Sequence, residues 1–211
     1  MSNKTIYLIR HGETDYNRRG VVQGSGIDAD LNEMGFAQAR AFFESYQHIQ
    51  FDKVYTSALR RTVQSIQGFI DLGIPFEQLV GLNEISWGSQ EGKIPNYQDD
   101  AYYKDLIWRW QNGQTDYPTE NGESPEDVKN RQKEAIDYIL SQESEKTILV
   151  SMHGRAIRIL LAWLTGKPLS EMDSFEHSNL CLYKLNYSYQ TQSFEIEIAN
   201  DITHLLMVEV L

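Results

Sequence analysis

Short apolar runs with the length of buried strands alternate with longer segments whose apolar residues recur at helical spacing. The strand-like runs lie at 5–9, 53–56 and 146–151, and the helical patterns at 35–49, 59–73, 124–140 and 154–166. Strands that alternate with helices usually form a parallel sheet covered by helices. The pattern therefore predicts an α/β fold, a three-layer sandwich with a mostly parallel central sheet and helices on both faces.

Two segments depart from this alternation. Residues 179–200 alternate apolar and polar positions on both sides of a polar turn, which predicts a β-hairpin. The segment 93–123 is polar and aromatic-rich, and it predicts a cap-like insertion in a single domain spanning 1–211. Its aromatic residues suit either the core of a helix or a surface facing a ligand, and they are Tyr97, Tyr102, Tyr103, Trp108 and Trp110.

The charge of the chain limits its partners. A formal net charge of -11 provides no broad basic face, so nucleic acid and anionic membrane surfaces are not expected as main partners. Cys181 is the only cysteine, which excludes an internal disulfide and a thiolate metal cluster. The N-terminal apolar run ends at Arg10, too early for a secretory signal, and no apolar run approaches the ~18 residues of a membrane span. We therefore expect a cytoplasmic protein.

Side chains suited to chemistry follow several predicted strands. Arg10, His11 and Gly12 end the first strand, the sequence "SALRR" (57–61) follows the second, and His153 with Gly154 follows the strand at 146–151. The sequence "LNEISWGSQEG" (82–92) adds the carboxyl group of Glu84. Because the carboxyl ends of parallel strands meet at one edge of a sheet, these residues are expected to share a pocket.

Each of these residues also has an ordinary structural interpretation. A histidine at a strand end is often only hydrogen-bonded, Arg60 and Arg61 can be solvated, and Glu84 can cap a turn. The repetition of His-Gly after two strands favours a functional site, because glycine permits a tight turn and close approach of a ligand.

Four motifs together resemble the histidine phosphatase superfamily, whose fold is that of phosphoglycerate mutase. They are "RHGETDYN", "SALRRTVQS", "LNEISWGSQEG" and "VSMHG", in that order, and the stretch "GSGIDADLNEMGFAQA" is also similar to the family. The resemblance covers nearly the whole chain. It departs from the usual pattern at Thr62, Met152 and Arg155.

The resemblance implies a role for each matching residue. His11 would be the nucleophile that accepts the phosphoryl group, and Glu84 would be the proton donor. Phosphate oxygens would be held by Arg10, Arg61, His153, Asn17 and the Gly24 stretch, while Trp87 would lie on the substrate side.

Elementary chemistry supports these roles. Guanidinium groups stay charged and bind two oxygens of a phosphate at once, so they can stabilise phosphoryl transfer without a metal. A neutral imidazole nitrogen can attack phosphorus, and a carboxylic acid can protonate the leaving oxygen. We therefore expect neither a metal nor an organic cofactor, and no local metal motif such as H-E-x-x-H is present in the sequence.

The sequence leaves three functions open. The first is a metal-independent hydrolase of a small phosphomonoester, the second a phosphoglycerate mutase, and the third a phosphate-binding regulatory module without turnover. Relatives with mutase activity carry more basic residues in the insertion, whereas 93–121 holds only Lys93, Lys104 and Arg109, which favours hydrolysis. The sequence does not identify the phosphomonoester, and it leaves a homodimer open.

The C-terminal segment "NDITHLL" (200–206) raises one further expectation. Some small phosphatases of the family fold a similar segment over the mouth of the pocket, so His204 is a candidate substrate contact. The alternative is that His204 covers an edge of the core.

Overall fold

The computed structural model describes residues 3–94, 101–206 and 208 of the chain. The strands are β1 (Lys4–Arg10), β2 (Lys53–Thr56), β3 (Phe76–Gln78), β4 (Thr147–Met152), β5 (Leu182–Ser188) and β6 (Ser193–Asp201). The α-helices are α1 (Asp15–Arg18), α2 (Glu33–Tyr46), α3 (Arg60–Gln64), α4 (Gln67–Asp71), α5 (Ala101–Gln111), α6 (Pro125–Ser141) and α7 (Gly154–Leu164). Short 3-10 helices lie at Val80–Leu82, Gly88–Gln90, Leu169–Ser174 and Thr203–Leu205.

The strands form one sheet in the order β3-β2-β4-β1-β5-β6. The pairs β3–β2, β2–β4 and β4–β1 are parallel, and the pairs β1–β5 and β5–β6 are antiparallel. The predicted mostly parallel α/β sheet and the predicted hairpin are both confirmed. The carboxyl ends of β1, β2 and β4 lie side by side, which is the edge where the sequence predicts a site.

Alternate side chains of the sheet pack against helices on opposite faces. Ile6 and Leu8 of β1 belong to a core with α6 and α7, whereas Tyr7 and Ile9 pack in a core with α2 and α4. Strands buried on both faces are apolar throughout, as the short runs in the sequence are. The predicted three-layer arrangement is thereby confirmed.

The predicted helix 59–73 is wrong in one respect, because it is divided into α3 and α4. The hydroxyl of Ser65 donates to the carbonyl oxygen of Arg61 at 2.6 Å and accepts from the backbone N–H of Gly12 at 2.9 Å. Ile66 then leaves helical geometry, with φ -122° and ψ 12°. The break thus allows Ser65 to support the loop that follows β1.

Two glycines set the position of that loop against α2. A Cβ on Gly12 would lie 2.7 Å from the carbonyl oxygen of Gly35, and a Cβ on Gly35 would overlap the carbonyl oxygen of Glu13. Since neither neighbour is a flexible side-chain end, both positions require glycine. The N-terminal end of α2 therefore lies directly against the residues after His11.

The segment 93–123 contains α5, whose aromatic residues have different environments. Trp110 is fully buried and its indole N–H donates to the carbonyl oxygen of Tyr117, whereas Trp108 is exposed. Tyr97 lies outside the described residues. The assignment of 93–123 as a cap inserted in a single domain stays a prediction. Within the described part of the chain, no helix has the length and apolar character needed to span a membrane.

Candidate active site

His11 follows the last residue of β1, and its imidazole ring is held in one tautomer. Its Nδ1 lies 2.7 Å from the carbonyl oxygen of Gly12, and because a carbonyl can only accept, Nδ1 carries the proton. The Nε2 atom therefore keeps its lone pair. Burial, followed by the positive charges of Arg61 and Arg10, lowers the pKa of His11 well below its ordinary value. The ring is neutral at physiological pH.

His153 follows β4 and precedes α7, and its ring has the opposite tautomer. The Nε of Arg61 donates to Nδ1 of His153 at 3.2 Å, so the proton of His153 is on Nε2, which lies 2.8 Å from the hydroxyl oxygen of Ser57. Burial lowers the pKa of His153, and Arg61 and His11 lower it further. The two histidine rings lie 5.1 Å apart between centroids. The sequence-predicted pair is therefore brought together.

Ser57 is itself oriented by Thr62. The hydroxyl of Thr62 donates to the carbonyl oxygen of Leu59 at 2.7 Å, and its oxygen lies 2.9 Å from the hydroxyl of Ser57. Because Ser57 accepts from His153, its own proton is available for Thr62. Sequence reasoning did not assign Ser57 a role, although it noted Thr62 as a departure from the family pattern.

Arg61 and Arg10 supply buried positive charge beside His11. Arg61 donates to the carbonyl oxygens of Ile27 at 2.6 Å and Gly24 at 3.2 Å, so the backbone of Gly24 positions the guanidinium group. Burial lowers the pKa of Arg61 to about 10, which leaves it charged at neutral pH. Arg10 donates to the carbonyl oxygen of His177 at 2.6 Å, and among the described residues its buried Nε has no partner.

Glu84 lies at the N-terminal end of α7. One carboxyl oxygen accepts from the backbone N–H groups of Ile85 at 2.9 Å and Ala156 at 2.8 Å, and the other accepts from that of Arg155 at 3.1 Å. A helix N-terminus presents unpaired N–H groups, and those of α7 help to hold both carboxyl oxygens of Glu84. The predicted acid is thus fixed in one orientation.

A cavity of about 300 Å³ opens over Arg10 and Glu84. Its other lining residues are Val22, Gln23, Trp87, Tyr103, Gly154, Arg155, Arg158 and His177. His11, Arg61 and His153 are almost completely buried and do not line it. Burial and the positive charge of Arg10 lower the pKa of His177 to about 3, so this ring is neutral as well.

The remaining predicted residues lie in different surroundings. Trp87 lines the cavity, and its place on the substrate side stays a prediction. Asn17 does not line it; its side-chain oxygen accepts from the backbone N–H of Thr14 at 3.2 Å and from Asn179 at 3.3 Å, which fixes the loop after His11.

His204 also lies away from the lining of this cavity. Its Nε2 lies 2.8 Å from the carbonyl oxygen of Leu180, and its ring packs edge-on against Phe42 and Tyr46 of α2. This is the core-edge position that sequence reasoning offered as the alternative to a substrate contact.

Sequence reasoning missed several lining residues, chiefly Gln23, His177 and Arg158. A signal was present for Arg158, because Arg155 and Arg158 are three residues apart in a predicted helix and therefore share a face. No pattern in the sequence marks His177. Among the described residues, no group of His, Cys, Asp and Glu side chains is placed to hold a metal ion.

Comparison with known proteins assigns the family. The model of the histidine phosphatase superfamily (branch 1) matches residues 6–201. The chain belongs to this superfamily. It is a histidine phosphatase by family, and the predicted resemblance is confirmed.

Individual relatives share less than a third of their aligned residues with this chain. The chain is 32% identical to 6-phosphofructo-2-kinase/fructose-2,6-bisphosphatase 3 of Rattus norvegicus over 95% of its own length, and it spans 35% of that relative. Bacillus stearothermophilus YhfR has a TM-score of 0.84 at 27% identity, covering 96% of this chain and 99% of that one. A mycobacterial glucosyl-3-phosphoglycerate phosphatase has a TM-score of 0.81 at 23% identity, covering 94% and 99%, which shows a shared fold.

Proposed function

We propose that the protein is a metal-independent phosphomonoester hydrolase that acts on a small cytoplasmic metabolite through a phosphohistidine at His11. The observation that carries this proposal is the tautomer of His11. Its Nδ1 proton is committed to the Gly12 carbonyl, so a neutral Nε2 with a free lone pair lies beside two cationic arginines. A neutral nitrogen next to fixed positive charge is what attack on a phosphate dianion requires.

In the first step, Nε2 of His11 attacks phosphorus, and a P–N bond forms while the ester P–O bond breaks. Arg10 and Arg61 bind the equatorial oxygens, over which the negative charge spreads. The partnerless Nε of Arg10 is a donor suited to one of these oxygens. Glu84, as the carboxylic acid, gives its proton to the leaving oxygen.

In the second step, water attacks the phosphohistidine. Glu84, now a carboxylate, accepts a proton from the water as its oxygen bonds to phosphorus, and the P–N bond breaks. Inorganic phosphate leaves, and both residues return to their starting forms. The cavity over Arg10 and Glu84 is the route by which ester and water reach the buried His11.

Two other functions compete with hydrolysis. A phosphoglycerate mutase would return the phosphoryl group to a bound acceptor instead of releasing phosphate. A regulatory module would lack one of the reacting groups, whereas all five predicted catalytic residues are present. Hydrolysis is favoured because the cap offers little positive charge to retain an acceptor, and its Arg109 is paired with Asp105 at 2.6 Å.

The decisive experiment is to trap the intermediate. Rapid-quench labelling with a 32P-labelled phosphomonoester is expected to yield an acid-labile, base-stable phosphoenzyme. The His11→Ala variant should form none and should lose on the order of 10⁴-fold in kcat/KM, because the covalent route is removed. The exposed His48 provides a matched control, and His48→Ala should keep full labelling.

The outcomes separate the candidate functions. Labelling with stoichiometric release of inorganic phosphate supports hydrolysis, whereas labelling followed by transfer to phosphoglycerate supports the mutase. Absence of any phosphoenzyme in the folded protein contradicts the proposal. The substrate panel is run in EDTA, and activity that is lost in EDTA and restored by Mg²⁺ would contradict the metal-independent route.

A further inference from the structure

The loop 24–27 orients Arg61 through its backbone carbonyl oxygens. Nη1 of Arg61 donates to Ile27 at 2.6 Å, Nη2 donates to Gly24 at 3.2 Å, and Nε donates to the ring of His153. A guanidinium group has five N–H donors, so two donors of Arg61 have no acceptor among the described residues. The direction of these two donors therefore depends on where the carbonyl groups of the loop are placed.

The side chain of Glu91 lies directly against this loop. Its Oε1 atom accepts from the backbone N–H of Gly26 at 3.3 Å. A Cβ on Gly24 would overlap the same oxygen, and a Cβ on Gly26 would lie 2.6 Å from Oε2. The two glycines thus let the carboxylate approach the backbone that supplies the contacts to Arg61.

The same carboxyl oxygen also holds the wall of the cavity. Oε1 of Glu91 accepts from the backbone N–H of Trp87 at 3.0 Å, and Trp87 lines the cavity. Glu91 directly follows the 3-10 helix Gly88–Gln90, and its own N–H donates to the carbonyl oxygen of Gly88 at 3.1 Å. The side chain therefore returns across one short turn. A single oxygen connects the cavity wall with the loop that orients Arg61.

We propose that Glu91 is a positioning residue for Arg61, because it holds the loop 24–27 and the turn 87–91 in one fixed relation. Arg61 then presents its two available donors to the phosphoryl oxygens without rearrangement when the ester binds. This inference rests on the proposed function, which assigns Arg61 to the phosphoryl group. Glu91 itself does not line the cavity.

Two other roles of Glu91 make different predictions. If Glu91 only stabilised the fold, its loss would lower the free energy of unfolding and leave the phosphate affinity of the folded protein unchanged. Burial lowers the pKa of Arg61, and the charges of Glu84, Asp28 and Glu91 partly offset this effect. If Glu91 acted only through its charge, Glu91→Gln would be as defective as Glu91→Ala.

The first test measures kcat/KM and the affinity for inorganic phosphate. Glu91→Ala should lower kcat/KM about 10- to 100-fold and weaken phosphate binding about 10-fold, because charged hydrogen bonds from Arg61 are misdirected. Glu91→Gln keeps an oxygen at the position of Oε1 and should recover most of both losses. Glu44→Ala removes an exposed glutamate of α2 as a matched control and should change neither value.

A double-mutant cycle tests the contact itself. The three atoms nearest to a Cβ on Gly26 all belong to Glu91, so Gly26→Ala should displace the carboxylate and lower kcat/KM. In the Glu91→Ala background the same change should cost little more, because the obstructing carboxylate is gone. An unaffected Gly26→Ala variant, or losses that multiply in the double variant, would overturn the inference.

The cycle also covers the case in which Glu91→Ala does not fold. Gly26→Ala keeps the carboxylate and its charge and changes only where the carboxylate lies. Its affinity for inorganic phosphate should therefore fall, and an affinity equal to that of the wild type overturns the inference.

Phosphate binding to the His11→Ala variant separates this inference from the proposed function. That variant has no nucleophile, yet adding Glu91→Ala should still weaken its affinity for inorganic phosphate about 10-fold. Equal affinities with and without Glu91 overturn the inference, while phosphate release by the wild type still supports hydrolysis. A weakened affinity in a protein that forms no phosphoenzyme supports the positioning of Arg61 and contradicts the hydrolase.

Discussion

At the scale of single residues, the proton positions in the site follow from its hydrogen bonds. Arg61 can only donate, so Nδ1 of His153 accepts and Nε2 of His153 donates to Ser57. Ser57 in turn donates to the hydroxyl oxygen of Thr62, because the hydroxyl of Thr62 donates to the carbonyl oxygen of Leu59. His153 therefore has one defined tautomer, set by the Arg61 donor, and the hydroxyl group of Ser57 accepts its Nε2 proton away from the lining of the cavity.

We predict that Ser57 is a positioning residue for His153. Ser57→Ala should lower kcat about 10-fold with little change in KM, because His153 loses the partner that fixes its ring while the cavity stays intact. Ser57→Thr keeps the hydroxyl and should restore most of the rate. Steady-state kinetics on one phosphomonoester measures both variants. Equal losses in Ser57→Ala and Ser57→Thr would indicate a packing effect instead.

The reacting residues were predictable from sequence, whereas their partners were not. Arg10, His11, Glu84 and His153 follow short apolar runs or glycine-containing turns, and their spacing carries the family motifs. The positions of Ser57 and Arg158 relative to the cavity depend on how α3 and α7 are packed. His177 lies in an irregular segment before β5, where no periodicity points to the cavity. Distances between separate elements cannot be obtained from spacing alone.

At the scale of elements, Arg131 of α6 holds the loop that carries Glu84. Its five N–H donors bind the carbonyl oxygens of Gly81, Asn83 and Glu84 and both carboxyl oxygens of Glu123, at 2.8–3.1 Å. The planar guanidinium group is the only side chain that can make all these contacts. The loop that carries Glu84, the proposed acid, is thus held by a helix on one face of the sheet.

Replacing Arg131 should therefore affect both stability and catalysis. Arg131→Lys retains the charge but not the five directed donors, so we expect a loss of about 2 kcal/mol in unfolding free energy. We also expect about a 10-fold lower kcat, because the backbone of Glu84 is no longer held in its position beside the cavity. Chemical denaturation and steady-state kinetics measure these effects. Arg109→Lys, at an exposed ion pair, should change neither, and equal effects would contradict the role of Arg131.

The division between α3 and α4 shows the limit of periodicity at this scale. The apolar positions Leu59, Val63, Ile66 and Ile70 fit one continuous helix. The helix is interrupted where the hydroxyl of Ser65 donates to the carbonyl oxygen of Arg61 and accepts from the backbone N–H of Gly12. A single serine within a helical pattern does not predict such a break. The start of α6, by contrast, has a local sequence signature: the helical pattern predicted over 124–140 begins at Ser124, whose side chain caps the helix.

At the scale of the whole molecule, the buried neutral histidines make stability depend on pH. Burial and nearby arginines lower the pKa values of His11 and His153 well below 6.5, and they lower that of His177 to about 3. Histidines of the unfolded chain titrate near 6.5. Below that pH the unfolded state binds more protons than the folded state, so the free energy of unfolding falls as pH decreases.

Thermal unfolding between pH 7.5 and 5.5 measures this effect, in a range where most carboxylates stay ionised. We expect the Tm to fall by about 5 °C or more across it. The His177→Asn variant removes one of the neutral histidines and should show a smaller decrease. A wild-type Tm that is constant over this range would contradict the assignment of neutral buried rings.

The sheet topology was largely predictable, because alternating strands and helices leave few arrangements. The short strand β3 was not predicted. It has only three residues at the edge of the sheet, none of them is buried, and they form no clear apolar run. Membership of the superfamily follows from four ordered motifs. The environment of His204 depends on where the last segment crosses α2, which no local pattern specifies.

The place of β1 in the sheet has a consequence for biosynthesis. Of the six described strands, β1 is synthesised first, yet it pairs with β4 and β5. The carbonyl oxygen of His11 accepts a hydrogen bond from the side chain of Asn179, which lies 168 residues later in the chain. On the ribosome His11 therefore lacks part of its native surroundings until β5 has emerged, near the end of the described chain. Contacts so distant in sequence slow folding and expose apolar strands meanwhile. Phosphatase activity in a nascent chain would accordingly report that synthesis has passed β5.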